Sequence, residues 1–175
     1  SILILIGVSN MKARKVVLVD AIRTAFGRAG EKGIFWNTRA DDMVVKVIRE
    51  LMRRNPKVKP EMIGENAWGA FTQEKDQGTT LGRLSVILAG LPDTVPGFSI
   101  DRMCAGGMSA MTTAAGEIAL GACDVAIAGG VEHMSGVPYV SLDARWGCRV
   151  QDSTLIDALI RALHSGSYVM PIYND

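Results

Sequence analysis

The stretch from Ala105 to Gly116, which contains no charged residue, most constrains how this chain can fold. It consists only of Ala, Gly, Met, Ser and Thr, and it continues as a helical pattern to Leu120. A helix on the outside of a single sheet normally carries a polar stripe, and one without such a stripe is normally covered on all sides. We therefore predict a buried helix here, covered by a further layer of structure.

Apolar β-branched runs alternate with helical patterns along the chain. Strands are predicted at Val16–Ile22, Asn66–Phe71, Gly97–Ile100 and Asp124–Ala128. Helices are predicted at Asp41–Arg54, from Thr79 or Thr80 to Leu88, at Ala105–Leu120 and at Thr154–Leu163. This order predicts the α/β class, with a mainly parallel sheet and right-handed crossover helices. Ligand sites in such sheets lie beyond the carboxyl ends of the strands.

Cys104 lies between the third predicted strand and the uncharged helix. At such a turn, backbone N–H groups point outward and the helix dipole is positive, which favours thiolate over thiol. A reactive sulfur in this position indicates acyl transfer through a covalent thioester. The alternative is a small buried cysteine that only fills space.

The helix dipole is not sufficient for this chemistry. A helix N-terminus contributes about 0.3–1 kcal/mol, and one pKa unit corresponds to about 1.4 kcal/mol. A thiol with an ordinary pKa near 8.5 therefore stays mostly protonated at neutral pH unless a base is paired with it. The sequence contains no evident base for this purpose.

The remaining thiols and imidazoles have simpler interpretations. The chain has three cysteines and two histidines, without metal-ligand spacing, which fits a reducing, cytoplasmic compartment and predicts no metal site. Cys123 is predicted to pack in the core, and Cys148 is assigned no role. His133 is predicted to make local hydrogen bonds, with acid–base partnership as the alternative, and His164 is predicted to cap a helix.

Other features exclude further functions. Gly106, Gly107, Gly129 and Gly130 lack the spacing of a dinucleotide fingerprint, so they predict close backbone approach instead. Glu132 either orders the surrounding loops or satisfies backbone donors, and we favour the second. The formal net charge of +1 gives no indication of a nucleic-acid or membrane partner.

Three motifs resemble the thiolase family, the acetyl-CoA acetyltransferases and 3-ketoacyl-CoA thiolases. They are Val19–Gly27 (VDAIRTAFG), Arg102–Ala110 (RMCAGGMSA) and Gly129–Ser135 (GGVEHMS). Arg145–Gly147, with the helix that follows it, is similar to the start of the loop region in the acetoacetyl-CoA-forming branch. The resemblance covers roughly residues 15–163.

The chain departs from the family pattern at three positions. The family usually has Pro at Ala25, Ser at Gly106 and Gln at Ser109. Each of the three motifs is weak alone, but their order and spacing together are strongly indicative.

The resemblance implies a layered αβαβα fold of which this chain supplies the first half. It divides the chain into a thiolase-like N-terminal α/β half, residues 11–138, and the truncated start of a loop region, residues 139–175. Residues 1–10 (SILILIGVSN) are expected to be a remnant of cloning or upstream translation, because Met11 resembles a natural start.

The resemblance also implies a reaction. Cys104 would accept an acyl group from a coenzyme A thioester, with no permanently bound cofactor, and condensation with acetyl-CoA would form acetoacetyl-CoA. The family's activating His, oxyanion-hole Asn and second Cys all lie beyond position 175. Family members are commonly dimers or tetramers, which predicts a homo-oligomer.

Three alternatives stay open. The first is degradative thiolysis of a 3-ketoacyl-CoA, and the second is a non-catalytic truncated chain or partner subunit. The third is a condensing enzyme that acts on carrier-protein thioesters. The Ala-Gly-Gly sequence after Cys104 disfavours the third, because the corresponding turn in those enzymes is usually rich in serine.

Overall fold

The computed structural model describes residues 12–164. Its helices are α1 (Ala40–Arg54), α2 (Leu81–Ala89), α3 (Gly106–Leu120) and α4 (Ala158–Leu163). Its strands are β1 (Ile63–Gly69), β2 (Phe98–Ile100), β3 (Val125–Gly130), β4 (Tyr139–Val140) and β5 (Ile156–Asp157). The expected remnant at residues 1–10 and the end of the expected loop region lie outside the described residues.

A three-stranded parallel sheet with the order β2-β1-β3 forms the centre of the fold. Gly69 at the end of β1 lies opposite Ile100 in β2 and opposite Gly130 in β3. All three strands therefore end at the same level, and the segments that follow them meet at one carboxyl edge. The predicted α/β class and the parallel direction of these strands are confirmed.

Helices cover both faces of this sheet. Alternation along the strands places Trp68 and Ile127 in the core that includes Val44 and Ile48 of α1. Ala67 projects to the opposite face, where it packs in a second cluster with two alanines of α3, Ala110 and Ala114. The small side chains on this second face allow α3 to lie close to the sheet.

Local sequence signals account for the helix ends. Acidic residues occupy the first turn of α1 and arginines its last turn, as the helix dipole favours. Gly90 ends α2 with a φ of 82°, in the left-handed region that glycine adopts without strain. A single helical turn, Pro60–Met62, leads into β1.

The prediction of a buried first strand at Val16–Ile22 is wrong. Residues 12–28 form no regular element, and Leu18 and Val19 are each 75% exposed. Among the described residues, no backbone hydrogen bond pairs this segment with the sheet. A β-branched run forms a strand only beside a neighbouring strand, and β3, the nearest edge, is separated from it by a cavity.

Two other predictions need correction. The helix predicted from Thr154 begins only at Ala158, because Ile156 and Asp157 pair with β4 instead, and the Asp157 side chain caps α4. The helix after Cys104 is present, but it is buried on only one face. Met108 on its other face is 63% exposed, since no described element packs there.

Glycines fix the position of α3 on the sheet. A Cβ atom at Gly69 would collide with the Gly106 backbone, and one at Gly130 would lie 2.9 Å from the Gly107 Cα. The first turn of α3 therefore rests directly on the carboxyl ends of β1 and β3. The close backbone approach predicted for Gly106, Gly107 and Gly130 is confirmed, whereas a Cβ atom at Gly129 would meet the Trp68 side chain instead.

We expect Gly69→Ala to destabilise the protein by about 1–3 kcal/mol, because α3 must move away from the sheet to admit the methyl group. The matched control is Gly116→Ala in the same helix, where a Cβ meets nothing within 4 Å. The control should stabilise the helix by roughly 0.5–1 kcal/mol. Chemical denaturation of the two variants measures both effects, and equal effects would contradict this account of the contact.

Candidate active site at the carboxyl edge of the sheet

A tight turn between β2 and α3 presents Cys104. The carboxylate of Asp101 accepts a hydrogen bond from the Met103 amide at 2.8 Å. Met103 has a φ of 50°, in the left-handed region that is uncommon for residues with a side chain. The amides of Ala105 and Gly106 then donate to carbonyls of the same turn. These contacts hold Cys104 immediately before the helix.

Cys104 is exposed, so the alternative of a buried space-filling cysteine does not fit its position. No side chain caps the N-terminus of α3, although the amide of its first residue, Gly106, already donates to the Met103 carbonyl. Within residues 12–164, no hydrogen bond joins the thiol to a base. The described part of the chain therefore supplies an accessible sulfur and a positive helix end, but not the base that the chemistry requires.

A buried polar network ties together the loops that follow β1 and β3. The Gln77 amide donates to the Glu132 carboxylate at 2.8 Å and to the Phe71 carbonyl at 2.6 Å. Glu132 also accepts the Phe71 amide at 2.9 Å, and the Gln77 side-chain oxygen accepts the His133 amide. Glu132 thus satisfies a backbone donor, as predicted. Burial raises its pKa, although its two hydrogen bonds oppose that rise.

His133 makes local hydrogen bonds, as predicted. Its ring is buried, with Nδ1 3.3 Å from the Asp76 carboxylate and Nε2 3.1 Å from the Phe35 carbonyl. The same Asp76 oxygen accepts the Ala40 amide at 2.7 Å, which serves the uncapped start of α1. Burial alone would raise the pKa of Asp76, but the hydrogen bonds outweigh burial and the pKa is lowered.

The other cysteines and His164 lie away from this edge. Cys123 packs against Gly64, and burial followed by the charges of Glu117 and Glu65 raises its pKa. Cys148 lies in a loop and is partly buried. His164 is the residue at the C-terminal cap of α4, which agrees with the predicted position.

Sequence reasoning missed Asp76 and Gln77. Their partners His133 and Glu132 lie more than fifty residues further along the chain, and only the folded sheet brings the two loops together. The available signal was their position in the loop that follows a strand, where polar side chains gather at the carboxyl edge. That signal does not identify which polar residues become buried.

A large cavity beside β3 does not include Cys104 among its lining residues. It has a volume of about 1040 Å³ and lies between residues 15–29 and the β3 region, with Met108 and Met111 of α3 among its lining residues. Within residues 12–164, no three acidic, histidine or cysteine side chains gather in a way that could hold a metal ion. In the same range, no helix has the length and apolar character needed to cross a bilayer.

A covered parallel sheet with an exposed cysteine between a strand and a helix defines the chain as an α/β protein with a strand-end site. Residues 16–172 match the family model described as "Thiolase, N-terminal domain". The chain therefore belongs to the thiolase family. The layered thiolase-like fold is also that of solved relatives, including an acetyl-CoA acetyltransferase from Bacillus anthracis. That structure is 35% identical, with a TM-score of 0.70 over 78% of this chain and 34% of its own.

Curated relatives agree with this assignment. A beta-ketoadipyl-CoA thiolase from Pseudomonas knackmussii is 38% identical over 160 residues, which cover 89% of this chain and 39% of that protein. A 3-ketoacyl-CoA thiolase from Aliivibrio fischeri is 40% identical over 125 residues, 71% of this chain and 32% of that protein. The chain thus spans between a third and two fifths of the length of these relatives.

We expect Asp76→Ala to lower the free energy of unfolding by about 1–3 kcal/mol at pH 7, because it leaves the Ala40 amide and the His133 ring without their acceptor. The pKa of Asp76 is lowered in the folded protein. The stabilisation that its carboxylate provides is therefore fully present at pH values above 3.8, the ordinary pKa of an aspartate. This stabilisation is lost as the pH falls through the lower pKa that Asp76 has in the folded protein. The difference between variant and parent should therefore narrow at low pH.

Urea denaturation at pH 7 and at about pH 3 measures this difference. The control is Asp42→Ala, a change at an exposed residue in the first turn of α1, the turn whose Ala40 amide Asp76 accepts. It should lower the free energy of unfolding by less than Asp76→Ala does. Two results would contradict the role of Asp76. One is an equal loss of unfolding free energy in the two variants, and the other is a loss in Asp76→Ala that is as large at low pH as at pH 7.

Proposed function

We propose that this chain provides the nucleophilic half of an acyl-CoA acyltransferase of the thiolase type. The observation that carries the proposal is the exposed Cys104 at the uncapped N-terminus of α3, in a chain that matches the thiolase N-terminal domain. The relatives' names indicate acyl-CoA and 3-ketoacyl-CoA thioesters as the substrate class. A homo-oligomer in the cytoplasm remains our prediction.

In the proposed reaction, the Cys104 thiolate attacks the carbonyl carbon of an acyl-CoA. The new carbon–sulfur bond forms as the bond to coenzyme A breaks, and coenzyme A leaves as a thiol after it gains a proton. When the acyl group is acetyl, an acetyl-CoA that has lost its α-proton then attacks the carbonyl carbon of the acyl-enzyme. The new carbon–carbon bond forms as the carbon–sulfur bond to Cys104 breaks, which releases acetoacetyl-CoA and regenerates the Cys104 thiolate. Thiolysis of a 3-ketoacyl-CoA by free coenzyme A is the reverse direction and the alternative.

The described residues support the first step more than the second. They provide an accessible thiol at a helix N-terminus that no side chain caps, but no base bonded to the thiol. The resemblance assigns the activating His, the oxyanion-hole Asn and the second Cys to positions beyond 175. We therefore expect this chain alone to accept a label or an acyl group slowly and not to turn over.

Selective alkylation tests the proposal. We expect iodoacetamide at pH 7 to label Cys104 faster than Cys123, because Cys104 is exposed, whereas burial raises the pKa of Cys123 and so lowers its thiolate fraction. Acetyl-CoA added first should slow labelling of Cys104, since it acylates the thiol or covers it. Peptide mass spectrometry measures both rates and detects an acetyl group on Cys104.

The internal control is Cys123, whose labelling acetyl-CoA should leave unchanged. Cys104→Ser should abolish both the fast label and the acetyl group while the fold is retained. Labelling that is neither selective nor slowed by acetyl-CoA would overturn the proposal for this chain.

A further inference from the structure

His133 has a hydrogen-bond acceptor at each of its two ring nitrogens. Nδ1 lies 3.3 Å from the Asp76 carboxylate, and Nε2 lies 3.1 Å from the Phe35 carbonyl oxygen. A neutral imidazole carries one N–H and donates to only one of these oxygens, whereas an imidazolium donates to both. In the neutral ring, one nitrogen therefore directs a lone pair at an oxygen that offers only lone pairs in return.

The surroundings of the ring leave little room for water to replace a lost partner. His133 is 8% exposed and Asp76 is 3% exposed. A Cβ atom at Gly136 would lie 2.6 Å from His133 Nδ1, so the backbone of the following turn packs directly against the ring. Buried polar atoms without partners are costly, and a buried charge requires a counter-charge. The imidazolium form meets both conditions, because it serves both acceptors and faces the Asp76 carboxylate.

Among residues 12–164, Asp76 is the charged group whose side chain contacts the ring. Arg39, at the start of α1, also faces Asp76, but its guanidinium donates two hydrogen bonds to the Asp41 carboxylate. Asp42 lies in the same turn of α1 and is exposed. The positive charge of Arg39 is thus offset by Asp41, and the Asp76 carboxylate stays available to the ring.

Glu132 is the titratable group next to His133 on its own segment. Burial raises the pKa of Glu132, although its carboxylate bonds to other groups and not to the ring. The remaining charges on the elements around the ring are exposed, and they are Lys75, Glu31 and Lys32. Glu132 is therefore the group whose titration an experiment must separate from that of His133.

Two side chains of the segment after β3 hold loop 29–38, which leads into α1. The Ser135 hydroxyl accepts the Gly30 amide at 2.9 Å, and the His133 ring meets the Phe35 carbonyl. Among the described residues, the other backbone hydrogen bonds of this loop close turns within it. Without the contact to His133, the loop would be attached by hydrogen bonds only at its Gly30 end.

We propose that His133 is a proton-operated latch on loop 29–38. With a proton on each ring nitrogen, it donates to Asp76 and to the Phe35 carbonyl and holds the loop against the segment after β3. Deprotonation transfers the Nε2 proton to water, because the charged acceptor Asp76 retains the Nδ1 proton, and the contact to Phe35 is lost. Imidazole changes charge between about pH 5 and 8, so the latch is closed at the acidic end of this range and open at the alkaline end. This role does not depend on the proposed acyl transfer.

Nitrogen-15 NMR of the whole chain counts the protons on the ring. We expect both ring nitrogens of His133 to carry hydrogen at about pH 5.5, and only Nδ1 to carry it at about pH 8. The chain has two histidines, so His164→Gln identifies the signals of His133. The same protonation of His133 at the two pH values would overturn the proposal, and this measurement needs no variant of His133 itself.

Hydrogen exchange measured by NMR tests the hold on the loop, as protection factors that remove the pH dependence of intrinsic exchange. Protection of the Gly33, Trp36 and Thr38 amides should fall about tenfold from about pH 5.5 to about pH 8, while β1 is unchanged. This fall should be absent in His133→Gln and retained in His164→Gln, the matched control.

Protection that does not change with pH in the parent protein would overturn the latch. So would a fall that persists in His133→Gln, because it assigns the titration to Glu132. If His133→Gln does not fold, the ring protonation and the loop protection of the parent, measured at the same two pH values, must still change together.

Discussion

The site depends on direct backbone contact between the first turn of α3 and the ends of two strands. Gly69 and Gly130 face Gly106 and Gly107 so closely that side chains do not fit between them. Because Cys104 precedes this turn by only two residues, the same contact sets the height of the sulfur above the sheet. The left-handed Met103 and the Asp101 hydrogen bond then determine the direction in which the chain enters the helix.

The loops beside Cys104 are held by a second, polar constraint. Gln77 bonds both to the loop after β1 and to Glu132 in the loop after β3, so neither loop can move without breaking buried hydrogen bonds. The two carboxyl groups of this network differ in exposure and in electrostatics: Asp76 is buried, whereas Glu132 is an exposed residue whose carboxyl group is only partly desolvated. Asp76 has a lowered pKa because several donors serve it, and Glu132 has a raised pKa because burial outweighs its two donors. These hydrogen bonds therefore join the two loops at the same edge of the sheet that carries Cys104.

Elements with a local signal were predictable from the sequence. Helix α1 follows from its period and its terminal charges, and the end of α2 follows from Gly90. The turn that carries Cys104 follows from a short strand beside an uncharged helix. Val16–Ile22 has an equally clear strand pattern, but it has no strand beside it in the described chain. Strand propensity therefore predicts a strand at Val16–Ile22 that the structure lacks. A strand forms only beside a partner strand, and no local sequence pattern shows whether that partner is present.

The amino-acid sequence by itself determined the α/β class, the order of most elements and the cysteine at the turn, because each depends on residues close together in the chain. It also determined the resemblance to thiolases, which the family match confirms. Only the tertiary structure decided that Asp76 and Gln77 serve His133 and Glu132, and that α3 is covered on one face. These features depend on contacts between residues far apart in the chain, and the sheet brings those residues together by aligning the ends of its strands.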